Sequence, residues 1–146
     1  MKSICILIVS LTMIAHTGWL TNMDEAKKIA AEKHQPILLN FSGSDWCGPC
    51  IRMEKDFFEA ASFKSYAAEH LVLLNADFPR NKKNKLTESQ LKHNEILADR
   101  YNKEGKFPLT LLIDAEGKVL KSWEGCPNTN PETFIKEIAA FTGTSN

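Results

Sequence analysis

Two cysteines with two residues between them, Cys47 and Cys50, carry the clearest chemistry in this 146-residue chain. They lie in Trp46-Cys47-Gly48-Pro49-Cys50, behind the apolar run Ile37-Leu38-Leu39-Asn40-Phe41 and a short turn, Ser42 to Asp45. The residues that follow read as a helix, with Ile51, Met53, Phe57 and Phe58 at its apolar positions. A cysteine at a helix start meets unpaired backbone N–H groups and the positive end of the dipole. Both favour thiolate over thiol, so Cys47 is expected to be the nucleophile. Cys50, one turn further in, is expected to be more buried and to act as the resolving thiol. Gly48 is expected to let the chain turn and a partner's backbone approach. Pro49 fixes φ at the helix start, where its missing N–H leaves nothing unpaired.

Such a pair can carry out thiol–disulfide exchange. Cys47 attacks a partner disulfide, a mixed disulfide forms, and Cys50 displaces the reduced partner. A lone Cys-x-x-Cys also permits a structural disulfide or half of a zinc site. Cys126 with one histidine would complete a three-sulfur, one-nitrogen metal set, but no second Cys-x-x-Cys and no His-x-x-x-His supports it. No metal is therefore expected, and placement directly behind a buried strand favours redox exchange.

Trp46-Cys47-Gly48-Pro49-Cys50 after a strand ending in Phe41 resembles the active site of the thioredoxin superfamily. The longer Phe41-Ser42-Gly43-Ser44-Asp45-Trp46-Cys47-Gly48-Pro49-Cys50 resembles exported bacterial thioredoxin-like proteins rather than small cytosolic thioredoxins. The resemblance implies an α/β, thioredoxin-like fold, a central mixed β-sheet flanked by helices, over residues 19–143.

The elements needed to position the cysteines are legible in order. Trp19 is expected to pack. Thr21 or Asn22 can cap a first helix carrying Met23, Ala26, Ile29 and Ala30, which must end before Pro36. The active-site helix is followed by a second helical piece, Phe63 to His70, and a strand, Leu71 to Ala76. Residues 77–85 place Arg80, Lys82, Lys83 and Lys85 within six positions, which reads as a solvated surface loop rather than a basic contact loop. Thr87-Glu88-Ser89-Gln90 fits a capping box opening a helix with Leu91, Leu97, Ala98 and Tyr101, stopped by Gly105. His93 is expected to be exposed. Leu109 to Ile113 and Val119 to Trp123 read as a hairpin around Asp114 to Gly117. Asn130-Pro131 opens a last helix with Phe134, Ile138 and Phe141, ended by Gly143.

Pro108 opens a central strand, an unusual place for a residue without a ladder donor. It matches the superfamily's cis-proline, which faces the active-site cysteines and beside which a bound substrate chain pairs in β-fashion. Phe107 replaces the smaller residue common before it. Trp46, Gly48, Pro49 and Pro108 are thus expected to support the site, and Phe107, Gly125 and Cys126 to border the substrate groove. Cys126 is either a partner-facing thiol or a small apolar filler.

Thioredoxins proper carry a buried acid on the active-site strand and a lysine on its neighbour. Here Asn40 and Leu73 match those positions, and Asn40 cannot take a proton. Attack by Cys50 must use water or another group, such as Asp45 or Glu54.

Eighteen basic and eighteen acidic residues give no net charge, so nothing favours a nucleic-acid partner. Lys2 followed by the apolar run Ile4–Ala15 matches a secretory signal peptide, assigned to residues 1–18, with 19–143 the domain and 144–146 a tail. The expected protein is exported, periplasmic and monomeric. Gly-Pro between the cysteines points to a protein-disulfide reductase, with an oxidase, an isomerase or a non-catalytic binding module as alternatives. The Cys47–Cys50 disulfide would be its only redox group, because no nicotinamide or flavin motif is present. Its electrons would come from another protein, such as a membrane thiol transporter, and pass to protein disulfides.

Overall fold

The structure, a computed structural model, describes residues 18–143. The expected leader lies outside the described residues apart from Gly18, and so does the tail at 144–146. Among the described residues, five α-helices and four strands follow the anticipated order. Strand β1 (Ile37–Ser42) is buried along its whole length, because both faces of the sheet are covered. It pairs in parallel with β2 (Val72–Asp77) and antiparallel with β3 (Leu109–Ile113), which pairs antiparallel with β4 (Val119–Glu124). The mixed sheet therefore runs β2-β1-β3-β4. Leu20 adds one parallel rung outside β2, donating to the Leu73 carbonyl and accepting from the Asn75 N–H.

Alternation along β1 divides the core in two. Ile37, Leu39 and Phe41 face α1 (Met23–Lys33) and α4 (Glu88–Tyr101), packing with Met23, Ala26, Ala30 and Leu97. Leu38 belongs to the other cluster, with Met53, Phe57, Phe58, Phe63, Phe134 and Ile138. That second layer consists of α2 (Gly48–Met53), a π-helical turn (Glu54–Phe58), α3 (Ala61–His70) and α5 (Pro131–Ala139). Phe134 is fully buried and meets Phe57, Phe63 and Trp123 at centroid distances of 5.7, 6.3 and 5.2 Å. Phe134→Ala should destabilise the domain by about 3–5 kcal/mol. A thermal melt should show this as a fall in Tm on the order of 10 °C.

Several local expectations need correction. The Thr87 hydroxyl accepts from the Gln90 N–H, but Gln90 does not close a capping box. Its side-chain amide reaches the Thr21 carbonyl and Asn94 instead, tying α4 to the start of α1. His93 is half-buried, and its Nε2 accepts from the Met23 N–H at 3.1 Å. Helix α4 stops at Tyr101, where Asn102 brackets Lys106 with two hydrogen bonds, three residues before Gly105. Phe141 lies beyond the end of α5 and is 45% exposed, with the Lys121 ammonium 5.8 Å from its ring centroid.

Candidate active site

Strand β1 delivers the chain to the turn at Gly43–Trp46, and Cys47 caps the helix behind it. Cys47 has extended backbone geometry, and its Sγ accepts from the Cys50 N–H at 3.3 Å. An otherwise orphaned helix-start donor thus points at the first sulfur, an arrangement that favours negative charge there. Cys47 and Cys50 form a disulfide across a Cα separation of 5.2 Å. Burial does not distinguish the two, since they are 6% and 4% exposed. The sulfurs differ in surroundings instead. Cys50 Sγ accepts from the Gly43 N–H at 3.5 Å and borders a cavity of about 550 Å³ also lined by Trp19, Ser42, Glu54 and Asn75.

Gly48 and Pro49 are exposed in the first turn of α2, above the two buried cysteines. Gly48 does not make the turn, which lies at residues 43–46, and a side-chain carbon at position 48 would meet nothing within 4 Å. The glycine that space demands is Gly43, where a Cβ would strike the Trp46 indole. The Trp46 ring is fixed by its Nε1 donating to the Phe78 carbonyl at 2.7 Å and by edge contact with Phe107 at 5.5 Å.

The Phe107–Pro108 peptide bond is cis, and Pro108 is buried at the start of β3. The Gly125 N–H donates to the Pro108 carbonyl at 2.8 Å, so the turn after β4 lies beside it. Gly125 holds φ +73°, a left-handed conformation suited to glycine. Cys126 follows half-exposed, packed against the cluster that holds Leu38 and Phe134.

Below the cysteines lies a polar strip. Asn40 is 5% exposed, accepts from the Thr110 hydroxyl at 3.1 Å and donates to Asn75 Oδ1 at 3.2 Å. The residue level with Asn40 on β2 is Asn75, not Leu73, which is level with Leu38.

Asp45 and Glu54 separate cleanly. Asp45 accepts from the Arg80 N–H, the Asn81 N–H and the Asn84 side-chain amide, each at 2.9 Å. The Arg80 N–H first, and the Asn84 amide next, hold its carboxyl below the usual range, which makes it a poor proton acceptor. Glu54 stands four residues after Cys50, on the same helical face, and shares its cavity. Burial first, and the neighbouring Glu59 charge second, push the Glu54 carboxyl up. The π turn sets this geometry, because the Glu59 N–H bonds the Glu54 carbonyl and stacks one glutamate beneath the other. Glu59 in turn pairs with Lys64. Among the described residues, no group of three or more His, Cys, Asp or Glu side chains is arranged to hold a metal ion.

A family model described as thioredoxin-like matches residues 18–115. The chain belongs to the thioredoxin-like family. It is 42% identical over 96 residues to the disulfide bond reductase DsbH of Chlamydia pneumoniae, a match covering 66% of this chain and 56% of that one. It is 28% identical over 98 residues to the thioredoxin-related protein DsbJ of the same organism, covering 67% of this chain and 27% of that one. The match thus spans only about half, and about a quarter, of these curated relatives. A solved DsbH oxidoreductase superposes with a TM-score of 0.80 at 29% identity, covering 99% of this chain and 96% of that one. The fold is thioredoxin-like, as the Trp-Cys-Gly-Pro-Cys run implied.

Proposed function

We propose that the chain is a thiol–disulfide oxidoreductase that reduces disulfides in other proteins. The observation that carries this reading is the Cys47–Cys50 disulfide at a helix start, with the first sulfur as N-cap. Similarity to a named disulfide bond reductase supports the direction, as does Gly-Pro between the cysteines.

In the reduced protein, Cys47 thiolate attacks a partner disulfide, forming a Cys47–partner bond and expelling one partner thiolate. Cys50 then loses its proton and attacks Cys47 Sγ. The second partner thiolate leaves, two electrons have passed to the partner, and the Cys47–Cys50 disulfide remains. Glu54 is the acceptor for the Cys50 proton. Both side chains line the same cavity, where an entering water can relay the proton between them. Asn40 orders the sheet beneath the cysteines and takes no part in the proton transfer.

The Cys47–Cys50 pair should equilibrate with a thiol buffer near the thioredoxin end of the scale, about −270 mV. The reduced protein should also accelerate insulin reduction by dithiothreitol. A potential near −120 mV would make the protein a disulfide donor instead. Its electrons come from a protein donor, with a membrane thiol transporter the fitting class, and its partners belong to disulfide handling outside the cytoplasm. Export rests on the sequence pattern of residues 1–18. Among the described residues no helix is long and apolar enough to cross a membrane.

Phe107, Gly125 and Cys126 form the rim beside Pro108 where the partner chain lies. With Cys47–Cys50 oxidised, a maleimide should label Cys126 in the native protein. Failure to label it would reduce Cys126 to a packing residue.

A further inference from the structure

Residues 80–85 are exposed, as their charge run suggests, but their loop is fastened to the turn before Cys47. Asp45, next but one to the nucleophile, gathers Arg80, Asn81 and Asn84 on one carboxylate. Asp77 accepts from the Ser44 N–H at 2.9 Å and from its hydroxyl at 2.5 Å. The Arg80 guanidinium carbon lies 3.7 Å from the Trp46 ring centroid, and Phe78 meets Phe107 at 5.6 Å. A continuous ridge thus runs from the loop through Phe78, Trp46 and Phe107 to Pro108.

Arg80 is held against Trp46, the neighbour of Cys47, and the backbone of its loop is fastened to Asp45. Arg80, Lys82, Lys83 and Lys85 are exposed, and among the described residues none of the four is in an ion pair. Lys106, by contrast, is closed off by Glu104 at 2.6 Å and Glu124 at 2.7 Å. Asp45 and Asp77 fasten the loop through neutral donors, so the four cations face these two carboxylates and outnumber them. In a chain of zero net charge this is a local positive field at the mouth of the site.

We propose that this loop is a docking lip for acidic polypeptide segments flanking the disulfide that Cys47 attacks. The inference rests on the oxidoreductase reading above. Arg80 supplies a stacked, oriented cation at the edge of the nucleophile's tryptophan, and the three lysines supply a softer field for glutamate or aspartate side chains.

The test uses the pre-reduced protein and three synthetic peptides, each with one internal disulfide flanked by two glutamates, two glutamines or two lysines. Single-turnover reduction is read by acid quench and alkylation, each event leaving one peptide dithiol and one Cys47–Cys50 disulfide. At low ionic strength the glutamate peptide should react about tenfold faster than the glutamine peptide, and the lysine peptide more slowly than either. That advantage should fall toward unity near ~1 M salt, where charges are screened beyond about 3 Å. In the triple variant K82Q/K83Q/K85Q, with an unchanged thermal melt showing that it is folded, the glutamate-to-glutamine ratio should fall severalfold, Arg80 alone keeping a remainder. Equal rates for all three peptides at low salt would overturn the docking lip while leaving the exchange reaction standing. A preference left undiminished in the triple variant would overturn it too. So would salt-sensitive sedimentation with phosphatidylserine vesicles in the absence of any peptide preference. Failure to reduce any peptide would instead overturn the oxidoreductase reading.

Discussion

Cys50→Ser should abolish turnover while preserving the first chemical step. The donor that stabilises Cys47 is the backbone N–H of residue 50, which serine retains. The nucleophile therefore keeps its activation, attacks a partner disulfide and stays attached, because serine cannot displace the partner. Insulin turnover should fall on the order of 10³-fold or more, the scale on which loss of a covalent-catalysis residue acts. Mixed disulfides should accumulate and survive non-reducing electrophoresis. Cys47→Ser should lose both turnover and trapping while remaining folded, since serine is a good N-cap and can accept the same N–H. If Cys50→Ser traps nothing, Cys47 is not the attacking thiol.

Glu54→Gln should slow the second step and change its pH dependence. General acid–base groups contribute about 10²–10⁴-fold, and water can carry part of that load here, so a loss of about tenfold to a hundredfold is expected. Glu54 accepts a proton only when ionised, and its carboxyl is pushed up, chiefly by burial. In the native protein, collapse of the mixed disulfide should therefore slow as pH falls through that raised value. In Glu54→Gln the inflection should be absent. Stability should move the other way. A carboxyl with a raised folded value contributes stability below its ordinary unfolded value and loses it as pH rises through the folded one. Near neutral pH, Glu54→Gln should then be at least as stable as the native protein. Slower resolution without lower stability is an outcome that a merely structural Glu54 would not give. Rapid quench of a preformed mixed disulfide gives the rate, and a urea titration gives the stability.

Local rules read much of the chain correctly. The unbroken apolar run of β1, the caps at Asn22, Thr87 and Asn130, and the hairpin around Asp114 each follow from neighbours a few residues away. Pro108 stands out because a proline opening a buried strand violates a local preference, while its cis bond is what the resemblance to the thioredoxin superfamily implied. The misreadings share a different cause. Asp45 offered itself from sequence as a base, but its partners lie 35 to 39 positions away. His93 finds its partner 70 positions away, and Gln90 leaves its capping box for a carbonyl 69 positions away. Such bonds have no period, so no pattern along the chain announces them. The π turn is similar, since one extra residue in a helical turn leaves the apolar spacing of Met53, Phe57 and Phe58 intact while bringing Glu59 under Glu54. The pairing of Asn40 with Asn75 depends on strand register, which only the assembled sheet fixes.

Trp19 packs edge-on against Phe58 at 4.9 Å and also lines the cavity beside Cys50. Its neighbour Leu20 is stitched to the outer edge of β2. The second thiol is therefore screened partly by a residue that precedes every helix and strand of the domain. A protease trimming the chain past Trp19 could spare the four-stranded sheet and still let bulk water reach Cys50. The seclusion of that thiol is set at the threshold of the domain as much as in its core.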